Sequence, residues 1–370
     1  MALYAHQRSD WPAFRWDTAA VLTPLAALRY KQGRLVGQLE SLGFPLQLEA
    51  EVDTLTLDLL TSHEIEGELL PLDTVRSSIA RRLGVDKEGL LPADRAIEGL
   101  VDVLLDATRQ YASPLTAERL FNWHAALFPT GRSGMFPITV AGWRTPENGP
   151  MQVVSGPMGR ERVHFQAPEA TRLPTEMAVF MAWFNQESDL DPILKSAIAH
   201  LWFITLHPFD DGNGRIARTM ADMQLAKADG SPHRFYSMSA QISRERDAYY
   251  TQLERTQRAD LTITDWLLWF LDCLDRALTA SSVTVEKVIL KARYWTALAN
   301  VSLSDRQRYM VGKLLDGFTG KLTTSKWAKL TKTSQDTALR DIQALVKLGV
   351  LIQEPAGGRS TSYLLAVLDA

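Results

Sequence analysis

Twelve consecutive residues, His207-Pro-Phe-Asp-Asp-Gly-Asn-Gly-Arg-Ile-Ala-Arg218, bring together a titratable base, two acids, a glycine-bracketed turn and two arginines. Each of these types has a use in handling a nucleoside triphosphate. Gly212 and Gly214 flank Asn213, and without Cβ atoms the chain there can turn successive N–H groups towards an oxygen anion. A helix beginning at Asn213 would add the positive end of its dipole. Arg215 and Arg218 are three residues apart, so that helix carries them on one face. Their planar guanidinium forks match phosphate oxygens. Asp211 offers a hard oxygen ligand beside the cradle, and Mg2+ is commonly held by one or two carboxylates together with substrate phosphates. His207 stands at the other end of the loop, with an ordinary pKa of about 6.5 that suits taking a proton from an attacking hydroxyl. Singly these residues are ordinary: a His before Pro ends a helix, Asp-Gly makes a turn, paired arginines face solvent. Jointly they meet the demands of phosphoryl and nucleotidyl transfer, which are positioning and charge stabilisation.

The flanking elements must hold this loop. Ile198–Leu206 is an apolar run too short to span a membrane and reads as a buried helix. Pro208 breaks it, and a new helix runs from Asn213 to about Ala228. Helical spacing also appears over 46–67 through Leu48, Val52, Leu55 and Leu59, with Gly67 and Pro71 as its stop. It recurs over 92–110, 116–128, 173–187, 190–206, 241–256 and 262–293. Residues 130–170 are rich in Gly, Pro and Thr, and Val153–Phe165 reads as a hairpin around a Gly/Pro turn. Trp11-Pro-Ala-Phe-Arg-Trp16 is expected to anchor a small core.

With 370 residues, 46% of them hydrophobic, and a net charge of −3, the chain reads as two or three globular domains and not as a general polyanion binder. Residues 301–370 hold ten Lys/Arg against six Asp/Glu, a net of +4 that leaves −7 for the rest. There, Thr324–Leu330 and Gln335–Leu348 suggest a helix-turn-helix, followed by two strands around a Gly-Gly turn, the pattern of a winged helix. A single cysteine, Cys273, excludes an internal disulfide and is expected to be buried. The N-terminus lacks the apolar core of a signal peptide, so cytoplasmic placement is expected and a membrane partner is not.

The central stretch resembles the signature of the Fic family, His-x-Phe-x-(Asp/Glu)-Gly-Asn-Gly-Arg-x-x-Arg, at every specified position. The resemblance implies a helical Fic fold over about 95–275 and transfer of a nucleotide moiety, usually AMP from ATP, to a protein hydroxyl. It implies that His207 is the general base for a Ser, Thr or Tyr hydroxyl, that Phe209 anchors the loop, and that Asp211 binds Mg2+. Gly212, Asn213 and Gly214 would hold the α- and β-phosphates, and Arg215 and Arg218 the β- and γ-phosphates. The hairpin lies where Fic proteins carry a flap that pairs with an extended target segment, which makes Val153, Val154, Ser155 and Gly156 docking residues. Asp247–Leu253 resembles the family's adenine-side helix, with Tyr249 and Tyr250 flanking the base. Family members often follow it with Asn-x-Gly-Asp, whereas this chain has Gln257-Arg-Ala-Asp260, so Gln257 stands where the base-contacting Asn is usual.

Ser62-His-Glu-Ile-Glu66-Gly67 resembles the inhibitory-helix motif of Fic proteins, (Ser/Thr)-x-x-x-Glu-(Gly/Asn). Ser62 and Glu66 fall on one helical face. The resemblance implies that Glu66 pairs with Arg218, so that ATP binds with its α-phosphate misaligned for in-line attack. The expected fold is mainly α: an N-terminal helical domain over 1–90 containing the inhibitory helix, a Fic core over 91–285 with its hairpin flap, and a winged helix over 286–370. The cradle by itself does not choose AMP over UMP, phosphate or phosphocholine, and in some relatives the glutamate also supports AMP removal. A regulator that senses nucleotide through the Fic core and binds DNA is the alternative from another class. Lys326, Lys329, Lys332 and Arg340 would then meet DNA phosphates, against the charges of Asp336 and Asp341. The expected partners are a target protein docked on the flap, a second copy of the chain, and DNA at the winged helix.

Overall fold

The computed structural model describes residues 3–40, 43–85, 90–156, 160, 162–315, 318, 320–354 and 361–366. Its helices are α1 (Thr18–Glu40), α2 (Phe44–Ile65), α3 (Leu72–Arg82), α4 (Arg95–Arg109), α5 (Ala117–Leu127), α6 (Leu173–Asn185), α7 (Pro192–Leu206), α8 (Asn213–Asp229), α9 (Met238–Arg244), α10 (Arg246–Arg258), α11 (Thr264–Ala297), α12 (Asp305–Leu315), α13 (Thr324–Thr331) and α14 (Gln335–Lys347). Antiparallel pairs join β1 (Arg132–Ser133) to β2 (Phe136–Pro137), β3 (Gln152–Ser155) to β4 (Arg162–Gln166), and β5 (Leu351–Gln353) to β6 (Tyr363–Leu365). The chain is mainly helical, as its periodicity predicts. None of the described helices is long and apolar enough to cross a membrane.

Helix α7 is the axis of the larger unit. Every residue from Ile193 to Leu206 is buried, which is where a helix apolar on all sides must go. Asp191 caps its start, accepting from the Ile193 N–H at 2.8 Å, with Pro192 at the first helical position. Helices α6 and α8 flank α7, α4 and α5 pack on α8, and α2 lies on α9. The Trp202 ring of α7 gathers Trp183 at 5.2 Å, Phe180 at 5.5 Å, Phe14 at 5.7 Å and Trp11 at 6.1 Å between centroids. The tryptophan-rich opening therefore builds no core of its own. A short segment without a helix has too little apolar surface to shelter an indole, and it borrows α7 instead.

The helix expected over 241–256 is two helices. Glu245 leaves helical geometry at φ −118°, and its carboxylate is drawn to Arg276 of α11 at 2.5 and 2.7 Å. Contacts divide the chain once, between Thr284 and Val285, within α11. In the second unit α12, α13, α14 and the β5–β6 pair enclose Met310, Trp327, Ile342, Leu345 and Tyr363. Asp341 of α14 is turned inward onto Arg306 at 2.9 Å, so it does not stand on an outer face as an opposing charge. The Gly357-Gly358 turn expected there, and Pro157–Gly159 in the turn of the first hairpin, lie outside the described residues.

One buried ion network secures α8. Arg234 bonds Asp222 at 3.0 Å and Asp229 at 2.7 Å, with all three side chains under 5% exposed. Removing the cation leaves Asp222 and Asp229 without an ion pair in the interior, with Asp229 still bonded by Tyr236 and Gln32. Arg234→Met is expected to cost about 3–5 kcal/mol, read as a lower denaturant midpoint for the larger unit, with part recovered by Arg234→Lys.

Candidate active site

The loop between α7 and α8 is closed by Asn213. Its Oδ1 accepts from the Phe209 N–H at 3.0 Å and its Nδ2 donates to the Phe209 carbonyl at 2.9 Å. The Asn213 side chain is thus spent on the loop, and only its main-chain N–H remains to meet an anion at the helix start. Phe209 is fully buried and stacks on His124 of α5 at 4.2 Å. Gly212 has φ 80°, and a Cβ there would lie 2.8 Å from the Phe128 ring, so both conformation and space demand glycine.

His207 ends α7 in the left-handed region, at φ 47°. Its Nδ1 is 3.2 Å from the Ile204 carbonyl. A carbonyl only accepts, so Nδ1 carries the proton and Nε2 keeps a free lone pair. Burial of the ring pushes its pKa down to about 4, against the Ile204 bond and with help from the Arg144 charge. At neutral pH the imidazole is neutral, with Nε2 able to take a proton.

Both arginines of α8 are buried and both are claimed by the end of α2. Arg218 donates through Nε to Ser62 Oγ at 3.0 Å, and through Nη2 to the Ser62 carbonyl at 2.7 Å and Glu66 Oε1 at 2.8 Å. Arg215 lies over the Phe128 ring at 4.9 Å and donates to Glu68 Oε2 at 2.6 Å. Arg218 Nη1 and Arg215 Nε are buried without a protein partner. Such orphaned donors carry a desolvation cost that an anion would relieve. A Cβ on Gly214 would collide with Glu66 Oε1 and come within 3.2 Å of Arg218 Nη1. The carboxylate therefore rests on bare backbone at the start of α8.

The geometry of this clamp comes from a helix stop. Gly67 adopts φ 82°, its N–H bonds the Glu64 carbonyl at 2.9 Å, and the Glu68 N–H bonds the His63 carbonyl at 3.0 Å. This is a Schellman motif, and only glycine takes its left-handed position without strain. Glu66 and Glu68, on either side of Gly67, both reach α8. Glu64 instead meets Ser243 at 3.3 Å. Sequence reasoning singled out Ser62 and Glu66 but not Glu68; its one signal was a second acid immediately beyond the helix-ending glycine.

Asp211 accepts from the Ser133 hydroxyl of β1 and from the Gly212 N–H at 2.5 Å. His124 steadies it from behind: the Ala141 N–H reaches its Nδ1 at 3.3 Å, leaving Nε2 to donate to the Asp211 carbonyl at 3.2 Å. Among the described residues no cluster of three or more His, Cys, Asp or Glu could hold a metal alone. One half-exposed carboxylate beside a phosphate cradle fits Mg2+ shared with a nucleotide and does not fit an all-protein cage.

The residues expected around adenine are not equally placed. Tyr249 is buried with its hydroxyl 2.8 Å from His200 Nε2; burial pushes His200 down to about 3, so that ring is neutral. Gln257 is also buried and donates to Thr205 Oγ1 at 3.3 Å, tying α10 to α7. Only Tyr250 presents surface, with the Arg246 guanidinium 5.2 Å above its ring. In the hairpin, Val153 pairs with Phe165, Val154 with Val163 and Ser155 with Arg162, with a bulge after Val153. Gly156 follows at φ 103°. Arg258 takes the Val163 and His164 carbonyls of β4 at 2.8 and 2.9 Å. Among the described strands β3 pairs with β4 alone, so its other edge is open to strand addition. Cys273 is buried, and its thiol pKa is pushed up by that burial.

Residues 114–225 match the Fic/DOC family, and residues 4–85 match a domain of unknown function (DUF4172). The chain is similar to protein adenylyltransferase Fic of Drosophila mojavensis, 25% identical over 220 residues that make up 58% of this chain and 38% of that protein. It is similar to protein adenylyltransferase fic-1 of Caenorhabditis elegans, 44% identical over 52 residues, 14% of this chain and 10% of that one. The matches thus span well under half the length of these curated relatives. Among solved structures, a Fic family protein from Desulfovibrio desulfuricans G20 aligns with TM-score 0.52 at 19% identity, covering 96% of this chain and 98% of that one. A Fic domain containing signaling protein from Bacteroides thetaiotaomicron VPI-5482 aligns with TM-score 0.50 at 20% identity, covering 73% and 96%. These two are likenesses of fold.

The buried base has a titration signature. The His207 Cε1 proton is expected to titrate near pH 4 in NMR spectra, where an ordinary histidine would do so near 6.5. Its folded pKa lies below its unfolded one, so the unfolded chain takes up the proton first. The residue's contribution to stability is therefore full above about pH 6.5 and is lost as pH falls towards 4. A midpoint above 6 overturns this account of the base.

Proposed function

Residues 114–225 are a Fic/DOC domain, and on that premise we propose that the protein transfers AMP from ATP to a Ser, Thr or Tyr hydroxyl of a protein, itself included, under restraint by its own α2. The observation that carries this reading is the pair of buried α8 arginines, each with an unpartnered N–H and each held by a carboxylate from the same helix end. The first N–H groups of α8 bind the α- and β-phosphates of ATP, and Arg215 and Arg218 the β- and γ-phosphates. Asp211 would hold Mg2+, which when bound neutralises phosphate charge. His207 Nε2 takes the proton of the target hydroxyl as its oxygen attacks the α-phosphorus; the bond to the β-phosphate oxygen breaks and pyrophosphate leaves. The open edge of β3, from Val153 to Ser155, takes an extended target segment by strand addition. The names of the curated relatives support the choice of AMP.

Glu66 occupies Arg218, and Glu68 occupies Arg215, where the outer phosphates need them. ATP must displace at least the first carboxylate to lie in line for attack. In the smaller unit, the order of three helices and a strand pair supports the winged-helix reading of residues 285–370.

The test uses α-labelled ATP and purified protein. Releasing Arg218 from a charge-assisted bond of about 1.5–3 kcal/mol raises self-labelling by Glu66→Gly roughly 10- to 100-fold. Glu68→Ala gives a smaller rise, because its carboxylate is half exposed and water-screened. Adding His207→Ala to Glu66→Gly abolishes labelling. Equal labelling of wild type and Glu66→Gly removes the restraint from the account, and preferential incorporation from another labelled nucleotide replaces AMP.

A further inference from the structure

Arg144 is 4% exposed, and its guanidinium faces main-chain carbonyls. Its Nε donates to the His207 carbonyl at 2.8 Å and its Nη2 donates to the Pro168 carbonyl at 2.5 Å. Its own N–H bonds the Pro208 carbonyl at 2.9 Å. Among the described residues it makes no ion pair within 4.0 Å. A buried cation satisfied by two carbonyls is costly to keep, and neither carbonyl is arbitrary. One belongs to the proposed base. The other lies two residues beyond β4, where the hairpin closes through Ala167 N–H on the Met151 carbonyl at 3.0 Å. The hairpin foot is fixed further by His6 Nε2 at 2.8 Å from the Gln166 carbonyl and by the contact of Tyr4 with Phe165.

The geometry points to Arg144 as the positioning residue that sets the register between the flap and the imidazole of His207. This rests on the reading of β3 as the docking edge for the target. A hydroxyl delivered by a docked strand must arrive about 3 Å from His207 Nε2. The strand and the base sit on separate elements, one a hairpin and the other the end of α7. The planar fork of one guanidinium spans them with both donors fixed in direction. It also grips the residue whose left-handed backbone needs outside support to persist. A lysine gathers its donors at a single nitrogen and lacks the fixed fork that sets both directions at once.

The test compares Arg144, Arg144→Lys and Arg144→Met in the full chain carrying Glu66→Gly, following self-labelling rate against ATP concentration. The maximal rate is expected to fall roughly 10- to 100-fold for Met, as a misplacement near 1 Å does, and less for Lys. The half-saturating ATP concentration stays within about twofold, since no phosphate-facing group has changed. ATP still raises the melting temperature of both variants. An unchanged maximal rate, or a loss of ATP binding that matches the loss of rate, overturns the assignment. Amide hydrogen exchange of the Lys variant gives a readout free of activity: residues 163–167 and 207–213 are expected to exchange faster together. If Glu66→Gly labels nothing, the transfer reading falls, and Arg144 stands or falls on this exchange alone; acceleration of one segment or of neither overturns it.

Discussion

A permanently charged guanidinium buried at the start of α8 is the constraint around which this site is arranged. Arg218 is 3% exposed and cannot shed its proton, so the protein must supply oxygen atoms to it. Ser62 provides two and Glu66 a third, yet Nη1 still lacks a partner. The surroundings are therefore an incomplete answer to a fixed demand. An arrangement of that kind is open to exchange, because a ligand with more oxygen atoms can satisfy the cation better than α2 does.

The remaining elements hold the two contestants in reach of each other. Helix α7 fixes the loop by full burial, Asn213 locks its curvature, and Phe209 and His124 pin it from beneath. On the other side, Gly67 turns the chain so that acids two residues apart address arginines three residues apart. Neither carboxylate is deeply sealed: Glu66 is 29% and Glu68 47% exposed, whereas the arginines they meet are almost wholly covered. The acids are thus the wetter partners and the arginines the covered ones.

The loop was legible because its residues are contiguous: twelve positions contain His207, Asp211, the glycine turn and both arginines. Glu66 was legible at a distance through the resemblance of Ser62–Gly67 to the Fic inhibitory-helix motif, and the structure pairs it with Arg218. Other supports were not. His124, Ser133 and Arg144 are ordinary residues in their local context, and each acquires meaning only from a partner far along the chain. Tyr249 and Gln257 are a different case. Their types suit a base pocket, but a helix buries one of its faces, and sequence did not show that these residues lay on it. The break at Glu245 has the same origin, since the ion pair that favours it comes from α11.

Gly214 carries one more consequence. The bare backbone there accepts the Glu66 carboxylate, and a Cβ would strike that carboxylate and crowd Arg218 Nη1 at 3.2 Å. Under the proposed reading the lock and the nucleotide share a footprint at this residue. Under that reading, a substitution of Glu66 at the end of α2 frees Arg218 and leaves the backbone of α8 untouched.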